Sequence, residues 1–289
     1  MAHTPNFPPG LEIFPSSSEQ LIETNGLFSS DSQTAAIQKY GIAGRIWEAA
    51  YVLLTYVNPS NTWEFDPPFY VDNETGHPMR IRGIELGSGT GIVAHALRSA
   101  QPAPEILVAT DLPEVCPLLE ANLHPDASLI VRPLSWGNRI EAMNVLEESF
   151  AHKGLSDVIC SDLVYFPELL SPLLRTLLHL TDAFPLTRVT ISYRIRSLSK
   201  EAPFWSAFGL WFDFAPVLYR TGPKDEWTRF GETFDDPTYV FVARRKPESM
   251  CWRLPMADRD LLAGVGAGGT DAHKGDDTFD TLLMMALGN

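Results

Sequence analysis

Between residues 81 and 193, short apolar runs alternate with helical patterns, and this alternation constrains the fold of the 289-residue chain more than any other feature. Apolar runs at 81–86, 105–110, 128–131, 157–160 and 188–193 read as strands. Helical patterns fill 92–99, 113–123, 140–151 and 167–180, with Pro113 suited to a first helical turn. A crossover helix returns the chain to the same end of the sheet, so strands joined this way pair in parallel. A helix at 202–214 and strands at 217–220 and 238–244 follow, the last two joined by a loop at 221–237. With no helix between them, those closing strands form a hairpin insertion and bring an antiparallel strand to the end of the sheet.

The flanks read differently. Ile42, Ile46, Ala49, Ala50 and Leu53 recur at three and four residues, which predicts an amphipathic helix over 33–56. Prolines and polar residues make 58–78 a loop. Residues 1–32, rich in Pro, Ser and Glu, form an arm that is partly ordered at best. Residues 249–289 turn to Gly, Ala and Asp and read as a flexible tail, with a short amphipathic helix at 278–287. The expected organisation is an arm (1–32), one domain (33–248) and a tail (249–289). The expected fold class is α/β: a Rossmann-like seven-stranded, mostly parallel sheet with helices on both faces and an antiparallel terminal hairpin strand.

Charge narrows the partners. A formal net charge of −14 repels a polyanion such as nucleic acid and suits a basic partner such as a lysine-rich protein surface. Cys116, Cys160 and Cys251 cannot all pair and lack metal-ligand spacing, which points to a reducing compartment. No run approaches the roughly 20 apolar residues of a membrane span. The expectation is a cytoplasmic monomer with no membrane or nucleic-acid partner. The seven histidines are scattered and suggest no metal.

The strongest local signal is Ile84-Glu85-Leu86-Gly87-Ser88-Gly89-Thr90-Gly91, set between a strand and a helix. Glycines there admit positive φ and leave room for a ligand, and the helix that follows presents unpaired N–H groups. Ile92 stands where a dinucleotide fingerprint needs its third glycine, and the Gly-Lys-Ser/Thr of a phosphate-binding P-loop is absent. The E-x-G-x-G-x-G spacing resembles the first motif of seven-strand S-adenosylmethionine-dependent methyltransferases. That resemblance implies that Glu85 contacts the amino acid part of the cofactor. Asp111, at the tip of the second strand, has the position from which an acid accepts ribose hydroxyls.

Three further segments resemble the methyltransferase-like protein-lysine methyltransferases over residues 40–245: Gly44-Arg45-Ile46-Trp47-Glu48-Ala49-Ala50, Leu134-Ser135-Trp136-Gly137 and Ser161-Asp162-Leu163-Val164-Tyr165. The resemblance implies S-adenosylmethionine as cofactor. It implies a protein substrate carrying the target lysine, in that family a chaperone or a translation elongation factor. It places Trp47, Glu85, Gly87, Ser88, Gly89, Gly91, Asp111, Trp136 and Ser161 around the cofactor, and Asp162 and Tyr165 at the reacting lysine. If their turn is helical, the last two share one face, and Asp162 accepts a hydrogen bond from the ammonium. The Ser-Asp-Leu-Val-Tyr segment departs from the N-P-P-Y of adenine and glutamine methylases, which argues against those substrates. Arg194 and Arg196 resemble a basic pair that pairs with Asp162 or with acids of the substrate, or else lies solvated. Two other readings stand beside the first: a small-molecule N-methyltransferase and a non-catalytic binding scaffold.

Overall fold

The structure, a computed structural model, describes residues 6–16, 26–60, 62–71, 76–77, 79–232 and 238–287. Parts of the expected arm (1–5, 17–25), of both expected loops (61, 72–75, 78, 233–237) and the end of the expected tail (288–289) lie outside them.

Helix α1 (Ser30–Tyr40) and a 3-10 turn (Gly41–Gly44) lead into α2 (Glu48–Val57) and β1 (Glu64–Asp66). The alternating unit then runs β2 (Arg82–Leu86), α3 (Ile92–Ser99), β3 (Ile106–Asp111), α4 (Cys116–Leu123), β4 (Leu129–Pro133), α5 (Arg139–Phe150), β5 (Asp157–Ser161), α6 (Pro167–Ala183) and β6 (Arg188–Arg194). It closes with α7 (Leu198–Trp211), β7 (Phe212–Pro216), β8 (Leu218–Arg220), β9 (Thr228–Arg229), β10 (Thr238–Arg245), α8 (Asp258–Leu262) and α9 (Thr278–Leu287).

Seven strands form one sheet in the order β4-β3-β2-β5-β6-β10-β7. The strands from β4 to β6 are parallel, and β10 is antiparallel to both its neighbours, as the sequence class requires. β10 inserts between β6 and β7, so the antiparallel strand is last but one in space. Strand order reverses at β2, and ligands of such sheets bind beyond the carboxyl ends of the strands at that point. Both faces are buried, as parallel strands need. In β3, Leu107 and Ala109 pack with α2, α3 and α4, while Val108 packs with α5, α6 and α7.

The structure departs from the sequence reading in five places. The single helix expected over 33–56 is two helices. Gly41, at φ +57°, ends α1, and its N–H donates to the Ile37 carbonyl. A Cβ at Gly44 would stand 2.3 Å from the Ala36 carbonyl carbon, so glycine lets the turn touch α1. Helix α4 starts at Cys116, leaving Pro113 outside it. The helix expected to reach 214 stops at Trp211, because 212–216 alternates: Phe212 and Phe214 face in, Asp213 and Ala215 out. The expected strand at 217–220 belongs to a separate small sheet of β1, β8 and β9. Finally, neither flank behaves as a loose extension. Ser16 Oγ donates to the Ile46 carbonyl at 2.7 Å, and Gln33 Oε1 accepts from the backbone N–H groups of Ser16 and Ile46. In the tail, Phe279 is buried and stacks on Trp205 at 4.9 Å, and Arg175 of α6 binds the Pro255 carbonyl and Asp258.

Candidate active site

A cavity of about 440 Å³ opens at the carboxyl ends of β2, β3 and β5. Trp47, Glu85, Gly87, Ser88, Gly89, Asp111, Trp136, Ser161, Asp162 and Tyr165 all line it; Gly91 does not. Gly91 caps α3 at φ +83°, and a Cβ there would meet Leu119 and Leu123 at 3.0–3.1 Å. Its place is between helices rather than in the cavity.

The glycine loop is built by backbone bonding to β3. Ser88 N–H donates to the Thr110 carbonyl at 2.9 Å, and Gly89 N–H donates to Asp111 Oδ2 at 2.8 Å. The Leu112 N–H donates to Asp111 Oδ1 at 2.8 Å. Each Asp111 oxygen thus keeps acceptor capacity for a hydroxyl. Gly87 adopts φ +57°, and a Cβ would lie 2.9 Å from the Trp136 ring and 2.8 Å from Leu163. Glycine there brings Trp136 and Leu163 onto the loop itself.

Glu85 is only 1% exposed, and among the described residues its Oε2 has no hydrogen-bond partner. Burial pushes its carboxyl up to about 8, against the Ser88 hydroxyl and the Ala94 N–H and with a smaller contribution from the charge of Asp111. Burial likewise raises Asp111, to about 6, against the two backbone N–H donors. A buried carboxyl oxygen without a partner is one that a bound donor would satisfy.

The opposite condition holds around Asp162. It takes φ +62°, a left-handed conformation that Asp tolerates better than most residues, and it is 4% exposed. The expected helical turn is absent: 162–166 is irregular and α6 begins at Pro167. The Asp162 carboxylate is already paired, though each of its oxygens keeps acceptor capacity. Arg196 grips both oxygens, Nη1 at 2.6 Å from Oδ1 and Nη2 on Oδ2. Glu48 pairs with Arg45, with Arg194 at 3.1 Å and with Arg196 at 3.6 Å. Burial raises the Glu48 carboxyl, but its own backbone N–H and the three guanidiniums outweigh this and hold it below the usual range. The solvated alternative for Arg194 and Arg196 gives way to this network. Trp47 sits within it, with Arg45 at 4.5 Å and Arg196 at 5.2 Å from its ring centre. Glu201 accepts from the Ser197 N–H at 2.8 Å and the Tyr193 hydroxyl at 2.5 Å, fixing the β6–α7 loop that carries Arg196. Tyr165 lines the cavity as a neutral phenol, its ionisation suppressed by burial and then by Asp111 and Asp162.

Sequence reading passed over Arg45, Glu48 and Glu201 as site residues. The i,i+3 spacing of Arg45 and Glu48 signals a pair, but nothing in it says that the pair faces a cavity. Among the described residues no group of His, Cys, Asp and Glu side chains is placed to hold a metal ion.

One solved structure, a SAM-dependent methyltransferase from Anabaena variabilis, is similar with a TM-score of 0.41 and 11% identity, covering 70% of this chain and 96% of that one. The chain is 28% identical over 190 residues to the protein N-lysine methyltransferase METTL21A of Xenopus tropicalis, covering 63% of this chain and 74% of that protein. It is 30% identical over 149 residues to the EEF1A lysine methyltransferase 3 of Mus musculus, covering 49% of this chain and 52% of the relative. A family described as lysine methyltransferase matches residues 31–208, which is more than half of the chain and contains every residue of the cavity wall from Ile42 to Glu201. The protein therefore belongs to the lysine methyltransferase family, as an S-adenosylmethionine-dependent enzyme that methylates protein lysine.

Proposed function

We propose that the cavity holds S-adenosylmethionine along the β2–β3 edge and receives the target lysine beside Asp162 and Tyr165. The observation that carries this reading is the orphaned Glu85 oxygen, buried in the same cavity that Asp162 and Tyr165 line. A buried carboxylate oxygen fits the ammonium of the cofactor's amino acid end. Asp111 would take the ribose hydroxyls, Trp136 the adenine, and Gly87, Ser88, Gly89 and Ser161 the close backbone approach. The bound cofactor supplies a methyl group on a sulfonium, ready for in-line displacement.

The chain's own task is to present a neutral amine. Lysine has a free pKa of about 10.4, so neutralising it near pH 7.4 costs about 4 kcal/mol. Leu163, Phe166 and Leu169 line the cavity and desolvate an entering ammonium, which favours the neutral form. The Arg196 guanidinium acts in the same direction as a nearby like charge. Asp162 keeps that guanidinium in place rather than binding the amine itself. The Tyr165 hydroxyl, un-ionised, accepts a hydrogen bond from the amine, and the Trp47 ring flanks the channel.

The substrate is proposed to be a cytosolic protein with a basic surface, which the net charge of −14 favours. An elongation factor is the kind of substrate named for one relative, and a chaperone is the other kind that the sequence resemblance implies. The enzyme is proposed to act as a cytoplasmic monomer, without nucleic acid or membrane. No helix of the described residues is long and apolar enough to cross a membrane. The test is transfer of labelled methyl from S-adenosylmethionine into a cytosolic extract, with mass spectrometry of the labelled band. Methyl-lysine in one protein is the expected result. Label confined to small molecules would overturn the protein substrate.

A further inference from the structure

Several buried side-chain polar atoms lack a hydrogen-bond partner among the described residues, but only two belong to residues that line the cavity. One is Glu85 Oε2, and the other is Arg45 Nε. They are opposite in charge. A single cavity that leaves one carboxylate oxygen and one guanidinium N–H unsatisfied is complementary to a zwitterion.

The rest of Arg45 is already committed. Its Nη2 pairs with Glu48, and its guanidinium lies 4.5 Å from the centre of the Trp47 ring. Those two contacts fix the plane of the group, and Nε is a buried donor that they do not use. The backbone brings this side chain to the loop. A Cβ at Gly89 would stand 3.0 Å from the Ala43 carbonyl, so the 3-10 turn abuts the glycine loop two residues before Arg45. Arg45 N–H then closes that turn on the Ile42 carbonyl at 3.3 Å.

We propose that Arg45 is a cofactor-binding residue, donating its Nε–H to the carboxylate of S-adenosylmethionine while Glu85 takes the ammonium. The proposal rests on the reading of the cavity given above. It makes Arg45 the residue that distinguishes a full amino acid end from one lacking the carboxylate. It also ties the α2 network to the cofactor: Glu48 holds Arg45 and Arg196 together, so one carboxylate orients a residue at each end of the site.

The test is calorimetric binding of S-adenosylmethionine and of its decarboxylated form to the wild type and to Arg45→Ala, Arg45→Gln and Glu85→Gln. The wild type is expected to prefer the full cofactor. Both Arg45 variants should lose about 10- to 100-fold in affinity for it and almost nothing for the decarboxylated form. Glu85→Gln should weaken both ligands, since both keep the amine. The ratio of the two affinities within one variant is independent of the fraction folded, so a partly unfolded variant still gives an answer. An unchanged ratio in the Arg45 variants overturns the proposal while leaving the cavity as the cofactor site. Unchanged cofactor affinity with a raised KM for the protein substrate overturns it in favour of an acid on the substrate. A wild type that binds neither ligand overturns the reading of the cavity together with the proposal.

Discussion

The two sides of the cavity treat charge in opposite ways. Along β2 and β3, Glu85 keeps an oxygen without a partner, and Asp111 spends one backbone N–H on each of its oxygens. Around α2 and β6, Asp162 gives both oxygens to Arg196, and Glu48 meets three arginines. A buried polar group without a partner costs stability, and a ligand that completes it recovers that cost. A paired network holds its members in place, and this one leaves Arg45 Nε without a hydrogen-bond partner among the described residues. On the proposed reading, the first side takes the ammonium of the cofactor, while the second holds its arginines in place and keeps Arg45 Nε for the carboxylate.

The largest effect that sharpens this comparison is on stability. Asp162→Ala strips Arg196 of its bidentate partner and leaves its guanidinium with the more distant Glu48 contact. Unfolding in urea should show a loss of about 3 kcal/mol, the lower end for breaking a buried pair because Arg196 is partly exposed. Glu85→Gln should do the reverse on the other side. The folded-state value of about 8 lies above the ordinary value of 4.5, so the folded wild type binds more protons than the unfolded chain between them. Glu85 therefore makes stability without ligand fall as pH rises from about 4.5 to about 8; Glu85→Gln removes that contribution and leaves the Asp111 contribution, which ends near pH 6. Equal destabilisation by both variants would break the comparison.

A smaller effect is proton release. An ammonium beside Glu85 favours the carboxylate, so binding of S-adenosylhomocysteine near pH 7 should release a proton. Its affinity should rise between about pH 6 and about pH 8. Calorimetry in buffers of different ionisation enthalpy reads the release directly, and Glu85→Gln should abolish it. Smallest is Gly91→Ala. It should cost about 1 kcal/mol through the positive φ and the contacts with Leu119 and Leu123, with cofactor affinity unchanged.

The parallel half of the molecule is legible in the sequence because its strands are buried on both faces and end at turns. Apolar run and element coincide from β2 to β6 within a few residues. The glycine loop is legible for the same local reason: Glu85, Gly87 and Asp111 are set by one strand–turn–helix–strand unit. Where two periods fit one run, pattern fails. Aromatic residues at 211, 212 and 214 suit a helix or a strand, and tertiary pairing with β10 decides for the strand. The Gly/Ala/Asp composition of the tail conceals that Leu261 and Phe279 carry its packing. The capture of Asp162 by Arg196 joins residues 34 apart and depends on one left-handed backbone conformation. The family resemblance offers that pairing as one of three alternatives for Arg196, and no spacing rule chooses among them.

The most direct test of the account is to measure S-adenosylhomocysteine affinity and methyl transfer side by side in Glu85→Gln and Asp162→Asn. Glu85→Gln should lose cofactor affinity by about tenfold or more and recover transfer at saturating S-adenosylmethionine. Asp162→Asn should keep the wild-type affinity and lose transfer by about 100-fold at any cofactor concentration. Loss of binding and transfer together in both variants would contradict the division of the cavity into a cofactor side and a lysine side.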